Sequence, residues 1–323
     1  MTTAPRVLLH NIETDEMVTA FKAAFPDLEY EACDRHEDVA EALARFRPDV
    51  VYSIRYTGTA PYPREALLGA DGPKWIAVGG SGTDHFGSWD TTRLTLTNAA
   101  GVAADMMAEY IFGGFLHFTL DVPGLQKDQA DRVWDTRRLV RPLRGKTLLI
   151  VGLGHTGRAV AALGQAFGMR VLGTRARPVE TEHVDQVFAA ADLHDALPQA
   201  DFIAVATPLL PSTRGLIGAE AVARMKPGVV IADVSRGGVM DHNALIPALQ
   251  SGQIAGAALD VFGTEPLPQD DPIWACPNVL ISPHCSSVHA EWEQASFAFF
   301  LRNLARYVAG ETLLNIVDPA RGY

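Results

Sequence analysis

One stretch limits what this chain can fold into more than any other. Lys146-Thr147-Leu148-Leu149-Ile150-Val151-Gly152-Leu153-Gly154-His155-Thr156-Gly157-Arg158 runs an apolar segment straight into glycines spaced G-x-G-x-x-G. Residues 148–151 read as a buried strand and residues 159–167 as a helix. In such a strand–turn–helix each glycine has its own task. Gly152 allows the tight turn, Gly154 lets backbone approach a pyrophosphate, and Gly157 lets helix pack close to strand. The pyrophosphate then rests on N–H groups at the helix N-terminus. Glycine-rich turns are common, so the meaning comes from the strand before and the helix after. The expectation is a dinucleotide site; an ordinary strand-to-helix turn is the alternative.

With 323 residues the chain exceeds one ordinary core, which predicts two domains. Its 48% hydrophobic and 20% charged residues fit a globular protein in water. The net charge of −11 argues against nucleic acid or an anionic membrane as partner, since both require basic surface. Cys33, Cys276 and Cys285 lie far apart without metal-ligand spacing. They fit free thiols in a reducing compartment, and no metal is expected. No basic start leads into an apolar segment, and no apolar run approaches the roughly 20 residues that span a bilayer. The expected location is therefore cytoplasmic.

Along the chain, strands are expected at 6–10, 28–31, 49–53, 75–78 and 95–98, with helices at 15–25 and 39–46. This alternation predicts a parallel sheet over residues 1 to about 100. Residues 103–119 form a long apolar helix, of the kind buried between bodies or at a subunit contact. Residues 121–144 are polar, carry Trp134 among charges, and read as an exposed arm. After the glycine-rich turn come strands at 170–173, 201–206, 229–234, 255–259 and 279–281, a helix at 243–251, and a closing amphipathic helix at about 290–309. Short apolar runs followed by small, polar or charged residues mark a doubly wound sheet whose strand ends line a ligand crevice.

Three of those strand ends carry chemistry. Val234-Ser235-Arg236-Gly237-Gly238 sets an arginine in a glycine-flanked turn, Asp260 and Glu265 follow another strand, and Ser282-Pro283-His284 ends a third. An arginine, a carboxylate and a histidine suit proton-coupled hydride transfer to a 2-oxo acid. Arg236 would fork onto the substrate carboxylate and polarise the ketone. His284 would donate or take the proton on oxygen. The carboxylate would pair with the histidine and favour its imidazolium form, and a nicotinamide would supply the hydride. Taken singly, each residue is also an ordinary loop or turn residue; their shared position at strand ends gives them weight.

At these residues the sequence resembles the D-isomer-specific 2-hydroxyacid dehydrogenase family. The resemblance covers Gly80-Ser81-Gly82-Thr83-Asp84-His85, Asn98, Ala108-Glu109, the fingerprint from Gly152 to Gly157, and residues 208–218, 233–241 and 258–267. It extends to Ser282-Pro283-His284 and Leu314-Asn315-Ile316-Val317. It implies an α/β fold of two Rossmann-like domains with doubly wound parallel sheets. The cofactor domain, 101–288, is inserted into a flavodoxin-like substrate domain, 1–100 and 289–323. It implies a catalytic trio of Arg236, Glu265 and His284, with Asp260 meeting the nicotinamide end. Ser81 and Gly82 would hold the substrate carboxylate through backbone N–H groups. The cofactor would contact Gly152, Gly154, His155, Thr156, Gly157, Thr207, Thr213, Val234 and Ser235. Family members are usually homodimers, with the 103–119 helix and the following arm at the contact.

Two positions depart from the family pattern. NAD-using relatives carry an acidic residue at the end of the second cofactor strand. Here that segment reads Gly173-Thr174-Arg175-Ala176-Arg177-Pro178, with no carboxylate and two arginines suited to a 2′-phosphate. NADP(H) is therefore expected to be preferred, with NAD(H) possible. Ala103 stands where many relatives have a threonine near the nicotinamide. The expected substrate is a small 2-oxo acid, with glyoxylate or hydroxypyruvate implied by NADP(H)-preferring relatives. In the loop 54–58, Arg55 would bind a second anionic group or else stand solvated, and Tyr52 or Tyr56 would face an apolar one. Cys285 reads as packing. Two rival readings fit the same residues: a nucleotide-sensing, corepressor-like binding protein, and a formate or phosphite dehydrogenase. Formate dehydrogenases lack a glutamate at the Glu265 position, which counts against that activity.

Overall fold

The computed structural model of the protein describes residues 4–55 and 61–319. The chain divides into two units, Met1–Val102 with His289–Tyr323, and Ala103–Val288. The first unit begins with β1 (Val7–His10), α1 (Asp15–Ala24), β2 (Tyr30–Cys33), α2 (Val39–Phe46), β3 (Val50–Ser53), α3 (Arg64–Leu68), β4 (Trp75–Val78) and β5 (Thr95–Asn98). The second holds α4 (Ala104–Thr119), α5 (Val122–Asp131), β6 (Thr147–Val151), α6 (His155–Ala166), β7 (Arg170–Arg175), β8 (Gln186–Ala189) and α7 (Leu193–Ala196). It continues with β9 (Phe202–Val205), α8 (Ala219–Arg224), β10 (Val229–Asp233), α9 (His242–Gln250), β11 (Ile254–Leu259) and β12 (Val279–Ile281). The chain then returns to the first unit with α10 (Trp292–Val308).

The first sheet is parallel throughout in the order β2-β1-β3-β4-β5, a flavodoxin-like winding. β1, β3 and β4 are buried along their whole length, as a sheet covered on both faces requires. Leu8, Val51 and Ile76 pack with Leu43 of α2, whereas Val7, Leu9 and Tyr52 pack with Phe297 and Phe300 of α10.

The second sheet is also parallel, in the order β12-β11-β10-β9-β6-β7-β8. The winding reverses between β6 and β9, so their carboxyl ends open the crevice where such sheets bind ligands. The expected α/β fold with two doubly wound sheets is what the structure shows. Some boundaries differ from expectation. α6 starts at His155, not at 159, because Gly157 belongs to the helix's first turn although its propensity is poor. β2 is displaced to Tyr30–Cys33, the register set by its pairing of Tyr30 with Val7. β8, an edge strand without a fully buried residue, is absent from the expected strands although Val187, Phe188 and Ala189 are apolar. The expected arm contains α5, which is entirely unburied and is capped by Asp121 accepting from the Gly124 N–H.

Helix α4 rests against β10, β11 and α6. Small residues set its distance from the sheet. A Cβ on Gly114 would lie 2.5 Å from the Ala258 Cβ, and one on Gly256 would lie 2.4 Å from the Phe118 ring. Gly114→Ala should therefore push α4 off β11 and destabilise the fold by about 1–3 kcal/mol, the usual penalty for overpacking. The check is the denaturant midpoint, and an unshifted midpoint would show that the helix has room to spare.

Candidate active site

The glycine turn closes as its sequence spacing demands. Gly152 adopts φ +105°, and a Cβ there would lie 2.6 Å from the Ala206 carbonyl oxygen at the end of β9. A Cβ on Gly157 would lie 2.0 Å from the Gly152 oxygen, so only glycine lets α6 sit this close to the turn. Gly154 is different: a Cβ there meets nothing within 4 Å. Open space thus lies over the middle glycine, and the first turn of α6 has no side-chain cap on its N–H groups. That fits the pyrophosphate of a dinucleotide, for which bare backbone at a helix N-terminus is the binding surface.

Other residues expected at the cofactor fall into two groups. His155 and Arg177 are exposed and Arg175 is half-buried at the end of β7, with the next turn carrying no acid through Pro178. Burial of the His155 ring lowers its pKa, and the nearby Arg158 charge lowers it further. The Thr156 hydroxyl lies against the Met107 sulfur at 3.5 Å. Thr207 is half-buried after β9. By contrast, Thr174, Val234 and Ser235 are buried. The Thr213 hydroxyl serves its own turn, accepting from the Leu210 N–H at 2.7 Å and donating to the Pro208 carbonyl at 2.6 Å.

The ends of β10, β11 and β12 bring the reactive residues together. The His284 Nδ1 lies 2.8 Å from Glu265 Oε2, and Glu265 Oε1 accepts from the Phe262 N–H at 2.9 Å. Burial alone would raise the Glu265 pKa. The bonds from His284 and Phe262, with the charges of His284 and Arg236, outweigh it and leave the group below its ordinary value. Glu265 is therefore a carboxylate, an acceptor only, so His284 Nδ1 carries its proton toward it and Nε2 is left for chemistry. Arg236 is half-buried, with its guanidinium donating to the Ser235 carbonyl at 2.7 Å.

Two buried acids support this arrangement. Asp260 has no exposed surface. Its Oδ1 accepts from the Ser282 hydroxyl at 2.5 Å and the Cys285 N–H at 2.8 Å, and its Oδ2 from the Ser286 N–H at 3.0 Å. It thereby clamps the segment that carries His284, whose φ of +54° is a left-handed conformation. Cys285 enters through its backbone; its side chain is exposed, not packed. Asp233 does the same service under Arg236, accepting from the Ser235 N–H at 2.9 Å and hydroxyl at 2.5 Å. Its burial pushes its pKa up to about 7, even though the Ser235 bonds oppose the shift. Sequence reasoning passed over Asp233 as a site residue. The signal was present, because Asp233 follows an apolar strand as Asp260 does.

In the first unit, Ser81 and Gly82 follow β4 in a loop held by Asn98, whose Nδ2 donates to the Ser81 carbonyl at 2.8 Å. Arg55 is exposed. Tyr52 does not face a ligand: it is 1% exposed, packs on Phe297 and Phe300, and sets its hydroxyl 3.1 Å from Ser296 Oγ. A residue in the middle of a parallel strand is covered on both faces, which explains the difference. Tyr56, Thr57 and Gly58 lie outside the described residues. Among the described residues, no helix is long and apolar enough to cross a membrane.

The sequence model of the family described as D-isomer specific 2-hydroxyacid dehydrogenase, NAD binding domain, matches residues 112–286. A D-3-phosphoglycerate dehydrogenase of Methanocaldococcus jannaschii is 32% identical over 282 residues, 86% of this chain and 53% of that protein. The chain thus spans about half the length of the phosphoglycerate dehydrogenases it matches. A glyoxylate reductase of Korarchaeum cryptofilum is 31% identical over 80% of each chain. Among solved structures, a D-isomer specific 2-hydroxyacid dehydrogenase from Xanthobacter autotrophicus Py2, in complex with NADPH and MES, superposes with a TM-score of 0.85 at 28% identity, covering 99% of this chain and 100% of that one. With the glycine turn and the Glu265–His284 pair already in place, these matches establish that the chain belongs to the D-isomer-specific 2-hydroxyacid dehydrogenase family.

Proposed function

We propose that the protein reduces a small 2-oxo acid, glyoxylate or hydroxypyruvate, to the D-2-hydroxy acid, with NADPH preferred. The observation that carries this reading is the 2.8 Å contact of His284 Nδ1 with a carboxylate whose other oxygen is fixed by backbone. That contact presents Nε2 as an acid of defined tautomer beside an arginine. Gly152, Gly154 and Gly157 would hold the dinucleotide, which supplies the hydride when bound. Arg236 binds the substrate carboxylate and polarises the ketone, and His284 gives its Nε2 proton to the ketone oxygen. Glu265 keeps its charge throughout and stabilises the imidazolium. The Ser81 and Gly82 amides are the proposed anchor for the substrate carboxylate, and Arg55 is a proposed contact for a second anionic group.

The cofactor preference rests on Arg175 and Arg177, which stand where an acid would have to meet a ribose hydroxyl. We also propose a homodimer through α4 and the arm that follows, supported by Trp134 at 93% and Leu139 at 89% exposure. The cytoplasmic location belongs to the same reading, supported by three free cysteines.

His284→Ala should cut turnover with NADPH and glyoxylate by about a hundredfold or more. Because reduction consumes a proton, it should be favoured at lower pH than the reverse oxidation. A variant that keeps most of its activity would place the proton donor elsewhere. Arg236→Ala should raise KM and lower kcat together, whereas a change in KM alone would leave it a binding residue only.

Arg175→Asp, at the half-buried end of β7 next to the buried Thr174, should move preference toward NADH. A wild-type enzyme preferring NADH by about tenfold in kcat/KM, roughly 1.4 kcal/mol, would overturn the assignment. Cofactor binding without turnover of any 2-oxo acid would point instead to a nucleotide sensor.

A further inference from the structure

Tyr110, Gly114 and Phe118 fall at i, i+4 and i+8 on α4 and form one stripe of its surface. That stripe runs along β11 in the opposite direction. Phe118 covers Gly256, and Gly114 backs onto Ala258. Four helical residues advance about 6 Å and two strand residues about 6.6 Å, so the two repeats stay in step. The next position along the strand is Asp260, and there the stripe ends on a polar atom. The Tyr110 hydroxyl lies 2.6 Å from Ser282 Oγ, which donates to Asp260 Oδ1 at 2.5 Å.

The proton inventory fixes the direction of this chain. Ser282 has one hydroxyl proton and gives it to Asp260, so Tyr110 must be the donor to Ser282. We infer that Tyr110 is a positioning residue for the general acid: its hydroxyl holds Ser282 onto Asp260, and so fixes the 282–286 segment that presents His284. Burial pushes the Tyr110 hydroxyl up to about 12, so it stays a donor across any practical assay range. The ring needs the close seat that Gly114 provides. The inference rests on reading His284 as the proton donor, and it assigns the apolar helix a part in catalysis at a distance.

The test compares Tyr110→Phe, Ser282→Ala and the double variant, with NADPH and glyoxylate as probes. Tyr110→Phe keeps the ring and removes only the bond. It should lower kcat by about tenfold while leaving KM for glyoxylate within about twofold. Hydrogen–deuterium exchange of the backbone over 282–286 should speed up, with exchange over β6 and α6 unchanged. The double variant should be no worse than Ser282→Ala alone, since both changes cut one relay. Unchanged exchange over 282–286, or single losses that multiply in the double variant, would overturn the inference. If the wild-type protein reduced no 2-oxo acid, the functional reading would fall, and the exchange measurement would still decide whether Tyr110 orders the segment.

Discussion

A carboxylate without exposed surface must find its solvation inside the protein, and Asp260 finds it entirely in one short segment. Three donors, the Ser282 hydroxyl and the Cys285 and Ser286 N–H groups, converge on its two oxygens. A lost donor would leave buried charge unsatisfied, which costs on the order of several kcal/mol. The segment therefore has one low-energy path around the carboxylate. His284 sits inside that path at a positive φ, a left-handed conformation that is uncommon for a residue with a side chain. The position of the imidazole is thus decided by an acid that never needs to touch it.

That acid is itself placed by backbone packing. β11 is central enough to be covered by α4 on one face, and Gly114 and Gly256 let helix and strand approach to the limit. On the other side of the winding reversal, Gly152 and Gly157 do the same for α6 and the dinucleotide turn. Close approach leaves little slack, because interiors this tightly packed transmit displacement instead of absorbing it. The two halves of the proposed reaction, cofactor turn and proton donor, therefore share one sheet as their reference frame.

Much of this was legible in the sequence because it depends on local pattern. Short apolar runs identified the central strands, since Leu148 to Val151 and Val229 to Ala232 are buried on both faces and admit no polar residue. The glycine spacing marked the turn, residues close after apolar runs marked Arg236, His284 and the pair Asp260 and Glu265, and the family resemblance singled out Glu265 of that pair. What stayed hidden depends on contacts between distant segments. Tyr110 and Ser282 are 172 residues apart, and nothing in an apolar helix marks one tyrosine as the donor to a serine. Tyr52 shows the opposite failure: just before the 54–58 loop it reads as a ring facing the substrate, yet both faces of β3 are covered and bury it.

Two acids that feel the charge of Arg236 show how environment divides labour among like groups. Glu265 is half-buried, faces an imidazole and a backbone N–H, and is held below its ordinary pKa. Asp233 is fully buried beside a second acid and is pushed up to about 7. Divergent shifts in neighbouring carboxyls assign them different work. Glu265 keeps its charge where an imidazolium needs a counter-ion. Asp233, pushed upward by its burial, shapes the Ser235 turn through the two hydrogen bonds it accepts. The acid that remains fully charged is oriented toward the histidine. Burial acts to raise both groups: at Glu265 the bonds from His284 and Phe262 and the charges of His284 and Arg236 outweigh it, whereas at Asp233 the bonds from Ser235 do not.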